Sequence, residues 1–594
     1  MRAMGLVLGG ALLTGLVPVA VTAQTVPPAA CPTPIPTAEL TSGMMGTGYT
    51  VSRGKVPQPF DAEILGIYPD GILPGRDLVI AEVHSAAIDK VGGVWAGMSG
   101  SPVYVTDGGI DKLVGAVAWS FSFGPSHVIG LTPAQDMLDL LDYGVTSATS
   151  GSGAPKVALT TAMRKDVAAA TGRSLARVGD SLVQMTMPVS VTGLGPRTPA
   201  RVRRVLSKHL NAPVRLYAGS SVSSGEQAAA DEMVPGGNFA AALSYGDITF
   251  AGVGTTTLVC DDAAVAFGHP FFFDGKTTLG ANAADAITVW EDPVFGPFKL
   301  ATIEGGVGVV DQDRFAGIRA DFSQQLDSIP VTSRTIAENT DRTSSGRSDV
   351  LLSEWVPVIA FYQEYYDIVS TMDQFSEGSS EFRWVAKGTK ANGSPWRLER
   401  ANMGASGYDI AYESVHELIH ILDRLYYQDY EDIEFTSFDF EEVTVRDEIR
   451  QYKIGKVLVA VNGGRFRGRE AVRVRPGARL ELKVILRPYD ESPAENVKMS
   501  LRVPRTAKRS GELAVFGGPG QHTGIVGPAE SFDELLEVIK SHPKNNEAGA
   551  KLRLGRGTAD RARVTMDQVV KGGRSIRVFI KGARGSGGRA PRVK

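Results

Sequence analysis

The sequence predicts a mainly β protein with α+β insertions, and three observations carry that reading. First, 68 glycines and 33 prolines in 594 residues supply turns at short intervals. Second, apolar runs of strand length recur between those turns, and beyond about Asp432 they alternate with a period near two. Third, stretches with helical character are few and separated by strands. Hydrophobic residues make up 43% of the chain and charged ones 21%, which is enough to bury cores and excludes wholesale disorder. The length corresponds to about three or four domains. Lys+Arg total 62 against 65 Asp+Glu, a balance that argues against a nucleic-acid binder. Two cysteines, Cys31 and Cys260, exclude a disulfide scaffold and a Cys-based zinc ribbon; in an oxidising compartment the two could pair.

In chain order, residues 1–23 read as a signal peptide: Arg2, an apolar stretch over 5–21 broken by Pro18, and small residues at Val21 and Ala23. The apolar run is short for a membrane span of about 20 residues, so the mature chain is expected to be exported, periplasmic or extracellular, with no stable membrane span. Residues 24–38 are a Pro/Thr/Ala tether, and residues 46–128 are strands and glycine turns. Thr132 then offers an N-cap and Pro133 a first helical residue, with Gly144 as the stop. A Ser/Gly linker spans 146–155, and a mixed α/β insertion reaches residue 235. Residues 236–330 return to strands, 326–350 are polar and loop-like, and a helical region runs to about Tyr427. A β-sandwich-like module is expected over 431–510, where VRPGARLELKV pairs a Pro-Gly turn with a strand. The C-terminal region 511–594 contains one helix, SFDELLEVIKSH, capped by Ser531 with Glu534 closing a capping box. It ends in a basic tail: residues 551–594 carry thirteen basic and two acidic residues, most simply a solvated tail.

Gly97-Met98-Ser99-Gly100-Ser101-Pro102 carries the chemistry. A serine hydroxyl is a weak nucleophile and needs presentation on a tight turn beside a base. Flanking glycines let the turn aim two backbone amides, here those of Gly97 and Ser99, at a developing oxyanion. The bland alternative is a glycine turn between strands.

The surrounding stretch, from Ser42 through SGMMGTGYTVSRGKVPQPFDAEIL to VWAGMSGSPVYV, resembles the SpoIVB-type serine peptidase family, named for the stage IV sporulation protein B. A second block, GDITFAGVGTTTLVCDDAAVAFGHPFFF, matches the same family around Phe267-Gly268-His269-Pro270. The resemblance covers about residues 40–145 and 235–325, and more loosely the β-rich part near 455–505. It implies a trypsin-like double β-barrel core, with the serine-bearing half over 24–145 and the histidine-bearing half over 236–330. It also implies Ser99 as nucleophile, His269 as general base, a protein or peptide substrate and no cofactor. Two departures mark the chain. The histidine block follows the serine block instead of preceding it, and His84 stands where the family has an aspartate, fifteen residues before the serine. Triads are defined in space and not by chain order, so the permutation is compatible with catalysis. The acid is open: Asp247, in the histidine block, is the first candidate, with Asp89 and Asp262 as others. A non-catalytic or self-cleaving envelope protein with the same fold is the alternative.

A rival motif is His416-Glu417-Leu418-Ile419-His420. On a helix, histidines four apart share a face and can grip one zinc while the glutamate activates water. However, Val415, Leu418, Ile419, Leu422 and Leu425 form the apolar face of this helix. That leaves His416 and His420 on the polar side, with no clear third ligand and no dry cleft, so no metal site is expected. His84 and His127 read as ordinary polar loop residues.

Overall fold

The computed structural model describes residues 31–121, 125–143, 156–171, 174–175, 180–194, 198–210, 214–292, 295–490, 492–519, 528–555 and 557–581. The expected signal peptide, the 146–155 linker and the end of the basic tail lie outside the described residues. The described residues are 53% strand and 16% helix, as the turn-rich, alternating sequence predicts.

The first sheet contains β1 (Met45–Thr50), β2 (Gln58–Leu73), β3 (Arg76–His84), β4 (Pro102–Asp107), β5 (Ile110–Phe121), β6 (Val128–Pro133), β7 (Lys156–Ala158) and β8 (Ser181–Gln184). β4 pairs with both β1 and β5, so β4-β1-β2-β3-β6-β5 close into a six-stranded antiparallel barrel. Its interior is filled by Val79, Val83, Val103, Val117, Ile129 and Leu131, all fully buried. Each such side chain contributes about 1.5–3 kcal/mol relative to exposure. Helix α1 (Ala86–Val91), capped by the Ser85 hydroxyl, leads from β3 toward the Ser99 turn.

The second sheet has thirteen strands. It includes β9 (Met187–Thr192), β10 (Val214–Gly219), β11 (Asn238–Gly246), β12 (Phe250–Cys260), β13 (Ala263–Ala266), β14 (Gly275–Trp290), β15 (Phe298–Arg314) and β16 (Gly317–Asp321). β11 pairs with β12 as well as β14, so β12-β13-β16-β15-β14-β11 also follow one another in a closed order. The sheet continues through β17 (Ile329–Ala337), β18 (Arg342–Val350), β19 (Gly378–Lys390), β20 (Pro395–Ser406) and β21 (Ile433–Arg446). The expected mixed insertion is present as α3 (Thr161–Thr171), α4 (Ala200–His209) and the strands around them. It is not a separate unit: β8 joins the first sheet and β9 the second.

Three expectations are corrected. Residues 326–350 are not a loop but the β17–β18 hairpin, whose outward positions are polar. The helical region is two helices, α5 (Val356–Met372) and α6 (Ile410–Tyr426), separated by the β19–β20 hairpin. The sandwich begins later and extends further than 431–510. Its strands are β22 (Gln451–Val461), β23 (Arg467–Gly468), β24 (Ala471–Val474), β25 (Arg479–Pro488), β26 (Glu495–Arg502), β27 (Gly511–Gly517), β28 (Glu547–Leu554), β29 (Gly557–Thr565), β30 (Val569–Lys571) and β31 (Gly573–Ile580). They form two five-stranded sheets whose facing residues, such as Val459 and Leu482 against Leu513 and Val578, share one core. Helix α7 (Phe532–Lys540) is capped by the Ser531 hydroxyl as expected. Helix α2 (Ala134–Leu138) has no side-chain cap, because Thr132 lies in β6 and its hydroxyl is engaged elsewhere.

Candidate active site

The Ser99 turn lies between α1 and β4, against β12 of the other sheet. Gly97 and Gly100 both have φ +94°, a left-handed conformation that L side chains rarely adopt. A Cβ at Gly100 would also overlap the Thr255 carbonyl, so the turn and β12 meet only because this residue has no side chain. β12 fastens the turn along its length. The Thr255 hydroxyl donates to the Gly97 carbonyl (3.0 Å), the Thr255 amide to the Ser99 carbonyl (2.9 Å) and the Thr257 hydroxyl to the Gly100 carbonyl (2.8 Å). The amides of Met98, Gly100 and Ser101 donate to Trp95, Val117 and Met98. Among the described residues, those of Gly97 and Ser99 donate to no backbone carbonyl. These are the two amides the motif assigns to an oxyanion.

His269 lies in the loop between β13 and β14. The loop starts and ends on phenylalanines held at positive φ, Phe267 at 73° and Phe273 at 69°. Bulky residues reach that region only where their surroundings over-determine it. Here the restraint is Asp313 of β15, whose carboxylate accepts from the amides of Phe271 (2.8 Å), Phe272 (2.6 Å) and Phe273 (2.9 Å). The Thr132 hydroxyl donates to the Gly268 carbonyl (2.6 Å), and Gln184 donates to the Pro270 carbonyl (2.7 Å). The histidine loop is therefore held from both sheets, by Asp313 of the second and by Thr132 and Gln184 of the first, while β12 of the second holds the serine turn.

The two segments meet at the carbonyl of Val117. The Gly100 amide donates to it (2.8 Å), and a Cβ at Gly268 would sit 3.4 Å from it. Ser99 and His269 are both fully buried, and Ser99 Oγ and His269 Nε2 both have no hydrogen-bond partner. His269 Nδ1 lies 2.8 Å from the Pro270 carbonyl. A carbonyl only accepts, so Nδ1 carries the proton and Nε2 presents its lone pair. Burial disfavours the imidazolium and lowers the His269 pKa to about 4. Ser101 is different: its hydroxyl donates to the Met98 carbonyl (2.6 Å) and pairs with the Thr50 hydroxyl (2.9 Å).

Asp247 is not the partner of His269, which corrects the expectation. It sits in the β11–β12 turn, where its carboxylate accepts from the Arg347 amide (2.7 Å) and Gln363 (3.2 Å). The place of an acid at Nδ1 is taken by the Pro270 carbonyl. Asp262 is exposed in the β12–β13 turn. Asp89 accepts from His84 and His127 instead. In the rival motif, Glu417 is not free to activate water. It pairs with the buried Arg400 (2.6 Å) and with Asn402 (2.5 Å), while His420 is exposed as expected.

Two residues near the site escaped the sequence reading. Asp313 is fully buried, and desolvation raises its carboxyl to about 7 against the pull of three amides. Lys299 of β15 is also fully buried, and desolvation lowers its ammonium to about 7. Its Nζ donates to Asn238 Oδ1 (2.9 Å) and reaches the Thr255 hydroxyl (3.4 Å), the same hydroxyl that fastens Gly97. The available signal was an ionisable residue set among the apolar residues of β15, Lys299 near its start in FKLATI and Asp313 near its end in GVGVVDQDR.

No family model, curated protein or solved structure matches the chain. Among the described residues, no helix is long and apolar enough to cross a membrane.

Proposed function

We propose that the chain is an exported serine peptidase that cleaves protein or peptide substrates through an acyl-enzyme on Ser99. The observation that carries this reading is that Ser99 Oγ and His269 Nε2 are both buried and unpartnered, not hydrogen-bonded to each other, on segments that meet at the Val117 carbonyl. A buried polar atom without a partner costs about 1–3 kcal/mol, which a substrate or a proton transfer between the two would offset. In the reaction Ser99 Oγ attacks the scissile carbonyl as its proton passes to His269 Nε2. The amides of Gly97 and Ser99 hold the oxyanion. The imidazolium then returns the proton to the leaving amine, and water repeats the sequence to release the acid. The Pro270 carbonyl fixes the required tautomer but carries no full charge to stabilise the imidazolium. The closed barrel bearing Ser99 and the closed strand order bearing His269 support a trypsin-like two-barrel reading with permuted halves. The expected leader and the Cys31–Cys260 disulfide support export to an oxidising compartment.

The full burial of Ser99 and His269 and the lack of a carboxylate at Nδ1 favour a second reading, a non-catalytic or self-cleaving envelope protein. Peptidase assays and intact-mass measurements on the wild type, Ser99→Ala and His269→Ala distinguish them. A peptidase cleaves an unfolded protein substrate, and each variant loses about 10³-fold or more. Cleavage confined to the chain itself and lost in Ser99→Ala points to self-processing. Wild-type protein that cleaves neither has kept the fold for binding alone.

A further inference from the structure

We infer that His84, Asp89 and His127 form a binding site for a divalent transition-metal ion of the zinc class. The three residues come from three segments: His84 ends β3, Asp89 lies in α1, and His127 precedes β6. His84 Nδ1 and His127 Nε2 both point at one oxygen, Asp89 Oδ1, at 3.0 and 3.1 Å. All three ligand atoms lie within 4.8 Å of one another. Bonds of about 2.0–2.1 Å in a tetrahedral site require ligand atoms roughly 3.3 Å apart, and the two distances from Asp89 Oδ1 to the imidazole nitrogens lie within a few tenths of an ångström of that.

One further feature favours a cation. Glu82 Oε1 lies 3.7 Å from His84 Nε2, the nitrogen that faces away from Asp89, and puts a second carboxylate beside the cluster. Two imidazoles and one carboxylate suit zinc, nickel or copper better than magnesium or calcium, which take mainly oxygen. His84 and Asp89 are half-exposed, so the ion has access and a fourth position for water.

The site adjoins the nucleophile turn by a short route. The Val94 amide donates to the Ser126 carbonyl (3.0 Å), and the Val83 amide to the His127 carbonyl (2.9 Å). Gly93 packs directly on the backbone of Ser126. A cation would therefore clip β3, α1 and the 126–127 segment together where the chain turns toward Gly97. This inference does not depend on peptidase activity.

The test uses the full mature chain, stripped with EDTA and titrated with Zn²⁺ by calorimetry at pH 7.5, with Co²⁺ absorption as a second readout. One ion should bind per chain, and the melting temperature should rise with free Zn²⁺. Asp89→Asn and the double change His84→Ala/His127→Ala should weaken binding by at least about 100-fold, while His416→Ala/His420→Ala leaves it unchanged. Circular dichroism confirms folding, and should the double variant misfold, Asp89→Asn alone decides. No saturable wild-type binding, or binding that persists in Asp89→Asn or disappears in His416→Ala/His420→Ala, overturns the assignment.

Discussion

At His269, the proposed general base, a backbone carbonyl stands where a carboxylate would. Its Nδ1 proton is fixed by the Pro270 carbonyl, and burial holds the pKa near 4 instead of about 6.5. The base works only when neutral, so the rate of Ser99 acylation should stay level from pH 8 down to about 5 and fall with a midpoint near 4. A midpoint between 6 and 7 in stopped-flow acylation would show a solvated histidine instead. Lys299 gives a stability prediction of its own. Its folded pKa of about 7 lies below the unfolded 10.5, so between these values the unfolded chain binds the extra proton. Stability therefore rises with pH across that window, by about 1.4 kcal/mol per unit, and is lowest below pH 7. Lys299→Met should flatten the slope in urea titrations between pH 7 and 10; an unchanged slope would place the lysine in water. The turn at Ser99 was legible because its chemistry is local: Gly97 and Gly100 adopt the positive φ that the motif requires. The partner of His269 was not, since a backbone carbonyl leaves no mark in a sequence.

At the scale of elements, the loop from His269 to Phe273 depends on one carboxylate of β15. Asp313→Asn keeps the shape but replaces one of the oxygens that receive three amides. It should cost about 1–3 kcal/mol and reduce Ser99 acylation more than it reduces stability, because the loop orients the imidazole. Equal activity in acylation assays at matched folded fraction would show that Asp313 only stabilises. Helix α6 was readable from its apolar residues, whose inward face is Val415, Leu418, Ile419, Leu422 and Leu425. The β17–β18 hairpin was not, because β18 carries RTSSGRSDV with polar groups outward, and its strand character comes from β11 and β17 on either side. Likewise β20 carries Arg397, Leu398, Glu399, Arg400, Ala401 and Met403, all good helix formers, but its alternating burial fits a two-residue period.

Across the whole molecule, the candidate site is an interface between two sheets, with Ser99 held by β12 of the second and the His269 loop held from both. The Cys31–Cys260 disulfide joins the segment before β1 to the end of β12 across 229 residues. Closing so long a loop constrains the unfolded chain by about 5 kcal/mol or slightly more. Cys31→Ser/Cys260→Ser should lower the melting temperature and destabilise the contact between the two sheets first; a melt unchanged by reductant would contradict this. The β-rich class and the alternation of the C-terminal strands were visible from composition and period. The joining of the two C-terminal segments into one sandwich was not, because β30 and β31 return from far along the chain to pair with β22 and β24.

The central claim is that Ser99 is a nucleophile activated by His269, and a fluorophosphonate probe tests it most directly. Peptide mapping by mass spectrometry should place one adduct on Ser99. The adduct should be absent in Ser99→Ala, strongly slowed in His269→Gln and retained in Ser101→Ala, whose hydroxyl is bonded to Met98 and Thr50. An adduct on Ser101, no adduct on folded wild-type protein, or labelling indifferent to His269 would contradict the account.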